Sequence, residues 1–193
     1  MSKRIAYLSA AALSALAFTA TVTAPANAES KKMMKSEMSG DTVMVGGAPM
    51  YPSKNIVENA VNSKDHTTLV AAVKAAGLVK TLEGKGPFTV FAPTNAAFGK
   101  LPAGTVDTLV KPENKKQLTK ILTYHVVPGK LAAADLTDGK KLTTVEGEVL
   151  TVKRMGDQVM LVDTKGGSST VTIPNVNQSN GVIHVVDTVL MPS

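Results

Sequence analysis

The chain has 193 residues, a formal net charge of +6 and no cysteine. Without cysteine there is no disulfide, no thiol chemistry, no thiolate metal site and no lipid-modified N-terminal cysteine, so packing alone must hold the fold. The positive charge is too modest to argue for nucleic acid, and it neither demands nor repels anionic polysaccharide or lipid headgroups.

The N-terminus reads as an export signal. Lys3 and Arg4 precede a run of Ala and Leu to Ala20, too short for a stable membrane span, and Ala26-Asn27-Ala28 is an A-x-A cleavage site. A signal peptide over residues 1–28 leaves a mature chain of 165 residues from Glu29, enough for one domain, and lowers the charge to +4. No second apolar segment reaches spanning length, so a soluble protein in the periplasm or outside the cell is expected. Residues 29–52 are rich in Lys, Ser, Gly and Met with no apolar period, as in a flexible linker, and Gly46-Gly47 reads as part of it. Met33, Met34, Met38, Met44 and Met50 lie in this segment. Thioethers suit Cu(I), but irregular spacing and the lack of nearby His or Cys favour an incidental leader.

From Ser53 the sequence becomes globular. Asn55 is placed to cap a short helix with Ile56, Val57, Ala60 and Val61 inward. Within residues 65–77, Leu69, Ala72, Val73 and Ala76 recur at i, i+3, i+4 and i+7; Asp65 or Thr67 suits the N-cap and Gly77 the left-handed C′ position. His66, at the start of this helix, reads as a solvated residue. Residues 78–82 extend or repeat the helical pattern before a turn at Gly84-Lys85-Gly86-Pro87. Phe88-Thr89-Val90-Phe91 is a short strand. Thr94 then caps a helix that turns Phe98 into the core, and residues 105–110 form another short helix.

Pro112 suits the first turn of a longer helix. Leu118, Ile121, Leu122 and His125 share one face of it, while Lys115, Lys116, Thr119, Lys120 and Thr123 take the other. Val126-Val127 and Pro128 then switch the chain to an extended backbone, so Tyr124-His125 sits where helix meets strand. Beyond Gly129, a helical turn at 132–136 and a turn at Asp138-Gly139 precede strands at 142–145, 149–152, 159–162 and 170–173. Gly156-Asp157 and Gly166-Gly167 read as the turns between them. Asn180-Gly181 is a turn signal, and residues 182–190 are apolar on both faces, as a central strand is. Helices first, strands after and one early strand predict an α+β domain with helices packed at one side of a β core.

Three stretches together resemble the fasciclin (FAS1) domain family. Phe88-Thr89-Val90-Phe91-Ala92-Pro93-Thr94-Asn95-Ala96-Ala97-Phe98 is similar to its first homology box, and Tyr124-His125 to its Tyr-His motif. Asn180-Gly181-Val182-Ile183-His184-Val185-Val186-Asp187-Thr188-Val189-Leu190-Met191-Pro192 is similar to its second box. The resemblance covers about residues 53–192 as a single copy. It implies a wedge of two β-sheets with several helices, and a non-enzymatic role in adhesion or contact with matrix and cell surface. It marks Thr94, Asn95, Phe98, Tyr124, His125, Asn180, Gly181, His184 and Asp187 as motif residues, structural and open to a binding role. Two departures stand out. Asn95 occupies a position that is often Asp in the family, which implies a small loss of favourable charge at a helix start. Acidic residues beside the Tyr-His segment, linked to integrin binding in animal members, are missing here, so integrin binding is not carried over.

Catalysis finds no footing in the sequence. His184 and Asp187 are three apart, which puts them on opposite faces of a strand. There is no G-x-S-x-G, no H-E-x-x-H and no phosphate-binding glycine loop, and a His site would need His66, His125 and His184 to converge. His125 lies on an apolar stripe, so Tyr124-His125 reads first as a buried polar joint and second as a partner-contacting patch. The expected function is an exported adhesion module that meets a surface polysaccharide, a matrix component or a surface protein, with no cofactor and no nucleic acid. The alternatives are a carrier of a small apolar ligand such as lipid, using space between sheet and helices, and Cu(I) binding through the Met-rich segment.

Overall fold

A computed structural model describes residues 42–193. The expected signal peptide, and Met33, Met34 and Met38 of the Met-rich segment, lie outside the described residues. Among the described residues, nine strands and six α-helices follow in order. A hairpin of β1 (Val43–Val45) and β2 (Ala48–Met50) leads into α1 (Ile56–Ala60), α2 (Thr67–Ala76) and α3 (Val79–Leu82). Then come β3 (Phe88–Pro93), α4 (Asn95–Gly99), α5 (Thr105–Leu109), α6 (Lys115–Tyr124) and β4 (Val126–Pro128). The chain ends in β5 (Lys141–Thr143), β6 (Val149–Met155), β7 (Gln158–Val162), β8 (Ser168–Gln178) and β9 (Gly181–Val186).

Seven strands join in the order β4-β3-β9-β8-β7-β6-β5. The long β8 makes this a wedge of two sheets. Its first residues, Ser168 to Thr170, pair with β7, whereas Val171 onward pairs with β9. The open ends approach each other where the Val145 amide donates to the Val126 carbonyl at 2.7 Å. All pairings are antiparallel except β3 with β9, which run parallel with Phe88 opposite Gly181 and Pro93 opposite Val186. β9 is buried along its whole length, as predicted for a central strand, but it ends at Val186 rather than at Leu190.

Because side chains alternate along a strand, β3 and β9 divide two cores. Val90, Ala92, Ile183 and Val185 face the helices, together with Leu69, Val73, Leu118, Ile121 and Leu122. Phe91 and Val186 face into the wedge, with Tyr124, Val127, Leu136, Leu150, Val152, Leu161 and Leu190. The helix stripes follow their period. Leu69, Ala72, Val73 and Ala76 are all buried, and Gly77 closes α2 at φ 75°.

Three expectations need correcting. Residues 43–50, expected to belong to a linker over residues 29–52, form a hairpin instead. Gly46 and Gly47, with φ of 59° and 75°, turn the β1–β2 hairpin, and Val45, Ala48 and Met50 enter the helix-side core. Met50 is therefore buried in that core, while Met44 is exposed. In α1, capped by Asn55 in a capping box with Glu58, Val61 points outward and Asn59 takes the inner position. The Asn59 amide is held by both backbone groups of Tyr51 and by Gln178. His66 is not solvated. It is 2% exposed, in a 3-10 turn over Lys64–His66 that precedes α2.

Candidate functional site

The Tyr124-His125 joint lies between the two cores. Tyr124 ends α6 fully buried on the wedge side, and its hydroxyl accepts a hydrogen bond from the Thr164 amide at 3.3 Å. Burial pushes its hydroxyl above the usual 10.0, with the Thr164 bond opposing part of the shift. His125 is the C-cap and turns to the helix side. Its Nδ1 lies 2.8 Å from the Ile121 carbonyl, which only accepts, so Nδ1 carries the proton. Its Nε2 accepts from the Leu190 amide at 3.1 Å. One ring thus satisfies a helix carbonyl and an amide of the C-terminal segment. Burial drives the imidazole below its ordinary 6.5, and the Ile121 carbonyl and the Asp163 charge recover only part of that.

His184 is held the other way round. Its Nε2 donates to the Leu131 carbonyl at 2.9 Å, and its Nδ1 accepts from the Asn175 amide at 3.3 Å. Asn175 sits at φ 57° within an irregular stretch of β8, which turns its N–H toward the ring. The ring stacks on Phe91, and burial lowers its pKa as well. Asp187 lies apart from it. One carboxylate oxygen accepts from the Thr170 amide at 2.8 Å and from the Thr188 hydroxyl, and the other meets Lys100 at 3.3 Å. Burial alone would raise the Asp187 pKa; the Thr170 bond, the Thr188 hydroxyl and Lys100 outweigh it and leave the group below its usual value.

Asn95 and Asn180 have a shared role that local sequence does not reveal. Thr94 caps α4 as expected, accepting from the Ala97 amide at 3.2 Å, and Phe98 is buried. Asn95, the next residue, reaches across to a different helix. Its Oδ1 accepts from the Thr68 amide at 3.0 Å and from the Thr67 hydroxyl, while its Nδ2 donates to the Lys64 carbonyl at 2.8 Å. It therefore caps α2, which has no cap of its own. An Asp at this position would keep the acceptor bonds and lose the donor bond, so the cost expected at the start of α4 is misplaced. Asn180 joins two further helix ends: Oδ1 accepts from the Ile56 amide at the start of α1, and Nδ2 donates to the carbonyls of Leu82, the last residue of α3, and Gly84 just beyond it. Gly181 pairs with Phe88, whose carbonyl a Cβ would strike. The β8–β9 turn consequently falls on Ser179-Asn180, one residue before the Asn-Gly position read as its turn.

Other polar residues in this framework carried no sequence signal. Thr89 is fully buried; its hydroxyl donates to the Gly129 carbonyl and accepts from the Leu131 amide. His66 binds Ser63 Oγ through Nδ1 at 2.9 Å. The motif side chains do not converge on one point: His125, His184, Asn95 and Asn180 each serve a separate junction. Among the described residues, no group of three or more His, Cys, Asp or Glu is arranged to hold a metal, and no helix is long and apolar enough to cross a membrane.

A family model for the fasciclin domain matches residues 64–192. The chain belongs to the fasciclin domain family. It is 46% identical to Protein sll1483 of Synechocystis sp., with 92% of this chain and 95% of that protein covered. It is 41% identical to immunogenic protein MPB70 of Mycobacterium bovis over 69% of this chain and 66% of that protein. Among solved structures it superposes on a FAS1 domain pair from the insect cell adhesion molecule fasciclin I, with a TM-score of 0.65 at 18% identity. That match covers 73% of this chain and 52% of the other, and at such identity it speaks for the fold. The β1–β2 hairpin and α1 precede the residues matched by the fasciclin model.

Proposed function

We propose that this fasciclin domain is an exported, non-enzymatic, adhesion-type module that contacts a surface polysaccharide, a matrix component or a surface protein. The observation that carries the reading is the occupation of its motif. Both nitrogens of His125 and of His184, the Tyr124 hydroxyl and the side chains of Asn95, Asn180 and Asp187 already have internal partners. An acid, base or nucleophile must be free to reach a substrate. These groups serve the fold, and the outer surface is left for recognition. A relative 40% identical over 69% of this chain, a cell surface glycolipoprotein of Mycobacterium bovis, supports a cell-surface setting. The experiment compares attachment of cells with and without the protein to surfaces coated with polysaccharide or matrix, with the purified chain added as competitor. Reduced attachment in the deletion strain, and competition by the soluble chain, are the expected results. Equal attachment and no competition would sink the proposal.

A further inference from the structure

Beyond Asp187 the chain leaves the sheets. The Asp187 amide still donates to the Thr170 carbonyl, but among the described residues no backbone-to-backbone hydrogen bond is made from Thr188 to Ser193. The segment nonetheless crosses the seam between the two cores, with Val189 buried on the helix side and Leu190 in the wedge. Its amides bond to side chains instead. Thr188 donates to Ser169 Oγ at 3.2 Å, Leu190 to His125 Nε2 at 3.1 Å, Met191 to Asp163 Oδ2 at 3.2 Å and Ser193 to the Glu148 carboxylate at 3.0 Å. Three of these four acceptors are titratable groups.

A ladder of backbone bonds would be indifferent to pH, and this grip is not. A protonated carboxyl keeps some acceptor capacity, but an imidazole with both nitrogens protonated keeps none. Nδ1 of His125 already carries a proton against the Ile121 carbonyl, so Nε2 holds the last lone pair and Leu190 uses it. A proton added there sets N–H against N–H. The groups around the ring give it little help. Asp163, just after β7, favours the charged form, but burial outweighs it and holds the imidazole below its ordinary 6.5. Tyr124 meets the ring edge-on and turns its hydroxyl to Thr164. His66 and Lys74 border the same apolar space on the helix side. Lys120 pairs with Glu146 and Glu148 near Ser193.

We propose that residues 189–193 are an acid-released strap: a proton taken from solvent by His125 Nε2 breaks the Leu190 bond, and the segment beyond Asp187 leaves both cores while the sheets stay closed. No strand pairing depends on the segment, so it can open at less cost than the whole domain. The sign follows from the two states of the ring. Closed, the buried imidazole sits below 6.5; open, it is hydrated and returns toward that value, so falling pH favours opening. Glu148, held below its usual 4.5 chiefly by the Ser193 amide, adds to the release only in a more acid window. This device is independent of what the outer surface binds.

Amide hydrogen exchange of the full chain at pH 7.5 and 5.5, expressed as protection relative to an unstructured peptide, tests this. Protection of the Leu190 and Met191 amides should fall about tenfold between the two, as for one proton bound preferentially by the open state. At pH 5.5 both amides should exchange at least tenfold faster than those of β9, because the strap opens alone. His125→Gln offers an acceptor oxygen that does not titrate, and in that variant Leu190 protection should be the same at both pH values. Should the variant not fold, the comparison with β9 in the unmodified chain decides. Leu190 and Met191 protection unchanged by pH, protection equal to that of β9, or a pH dependence that survives His125→Gln would each overturn the proposal.

Discussion

His125 keeps its proton on Nδ1, against the Ile121 carbonyl, and takes the Leu190 amide on Nε2; His184 keeps its proton on Nε2 and takes the Asn175 amide on Nδ1. Each ring has one fixed neutral tautomer. A second proton would point an N–H at another N–H, which adds to the desolvation penalty. The pH dependence follows in sign. Both histidines, and His66, have folded pKa values below the ordinary 6.5, so the unfolded chain takes up more protons as pH falls through that value. Histidine-linked stability is therefore fully present above pH 6.5 and is lost progressively below it. Asp187 is lowered from 3.8 and acts only in a more acid window. The melting temperature should fall between pH 7.5 and 5.5, and a flat profile over that range would count against the buried neutral rings. His125→Ala orphans the Leu190 amide and leaves a void, at a cost of about 3 kcal/mol and roughly 10 °C in melting temperature. An unchanged melting temperature with lost surface binding would instead make His125 a contact residue.

The elements that the sequence marked best are those whose partners are local. α2 and α6 carry their apolar stripes within ten residues, and Gly77 and Thr94 close and open helices with bonds a few residues away. The parallel β3–β9 pair was not legible, because its strands lie about ninety residues apart and nothing in either segment specifies the other. The same distance hid what Asn95 and Asn180 do: the motif was visible, but the helix ends it caps belong to other parts of the chain. Gly181 shows how tight this seam is. A methyl group there meets the Phe88 carbonyl and nitrogen, backbone atoms that cannot rotate away. Gly181→Ala should cost about 4 kcal/mol or more, or prevent folding. Gly99, exposed at the end of α4 with nothing within 4 Å of an added Cβ, is the control. Gly99→Ala should be neutral or stabilise by about 0.5 kcal/mol. Similar unfolding midpoints for the two variants would mean that the β3–β9 approach is looser than described.

Across the whole molecule, β3 and β9 form a partition with a core on each side, and the polar motif residues tie the helices and the C-terminal segment to that partition. This explains why candidate residues from three distant stretches share one architecture without forming one pocket. It also explains the failure at His66. The β1–β2 hairpin lies against its turn, with the Gly46 carbonyl accepting from the Lys64 amide, and that hairpin closes a Lys-, Ser-, Gly- and Met-rich segment that has no sustained apolar period to mark it as core. The hairpin is thus a structural part of the domain. Val45 and Met50 are each 2% exposed, and burial of one such side chain stabilises by about 1.5–3 kcal/mol. A chain trimmed to begin at Ser53 also loses Tyr51, which holds the buried Asn59 amide. It should unfold at a clearly lower denaturant concentration, with a loss of about 3 kcal/mol, relative to a chain trimmed to begin at Thr42. If both trimmed chains unfold at the same midpoint, the hairpin contributes nothing and the domain begins where the linker was first expected to end. If only the longer one is stable, residues 43–50 complete the helix-side core through Val45, Ala48 and Met50.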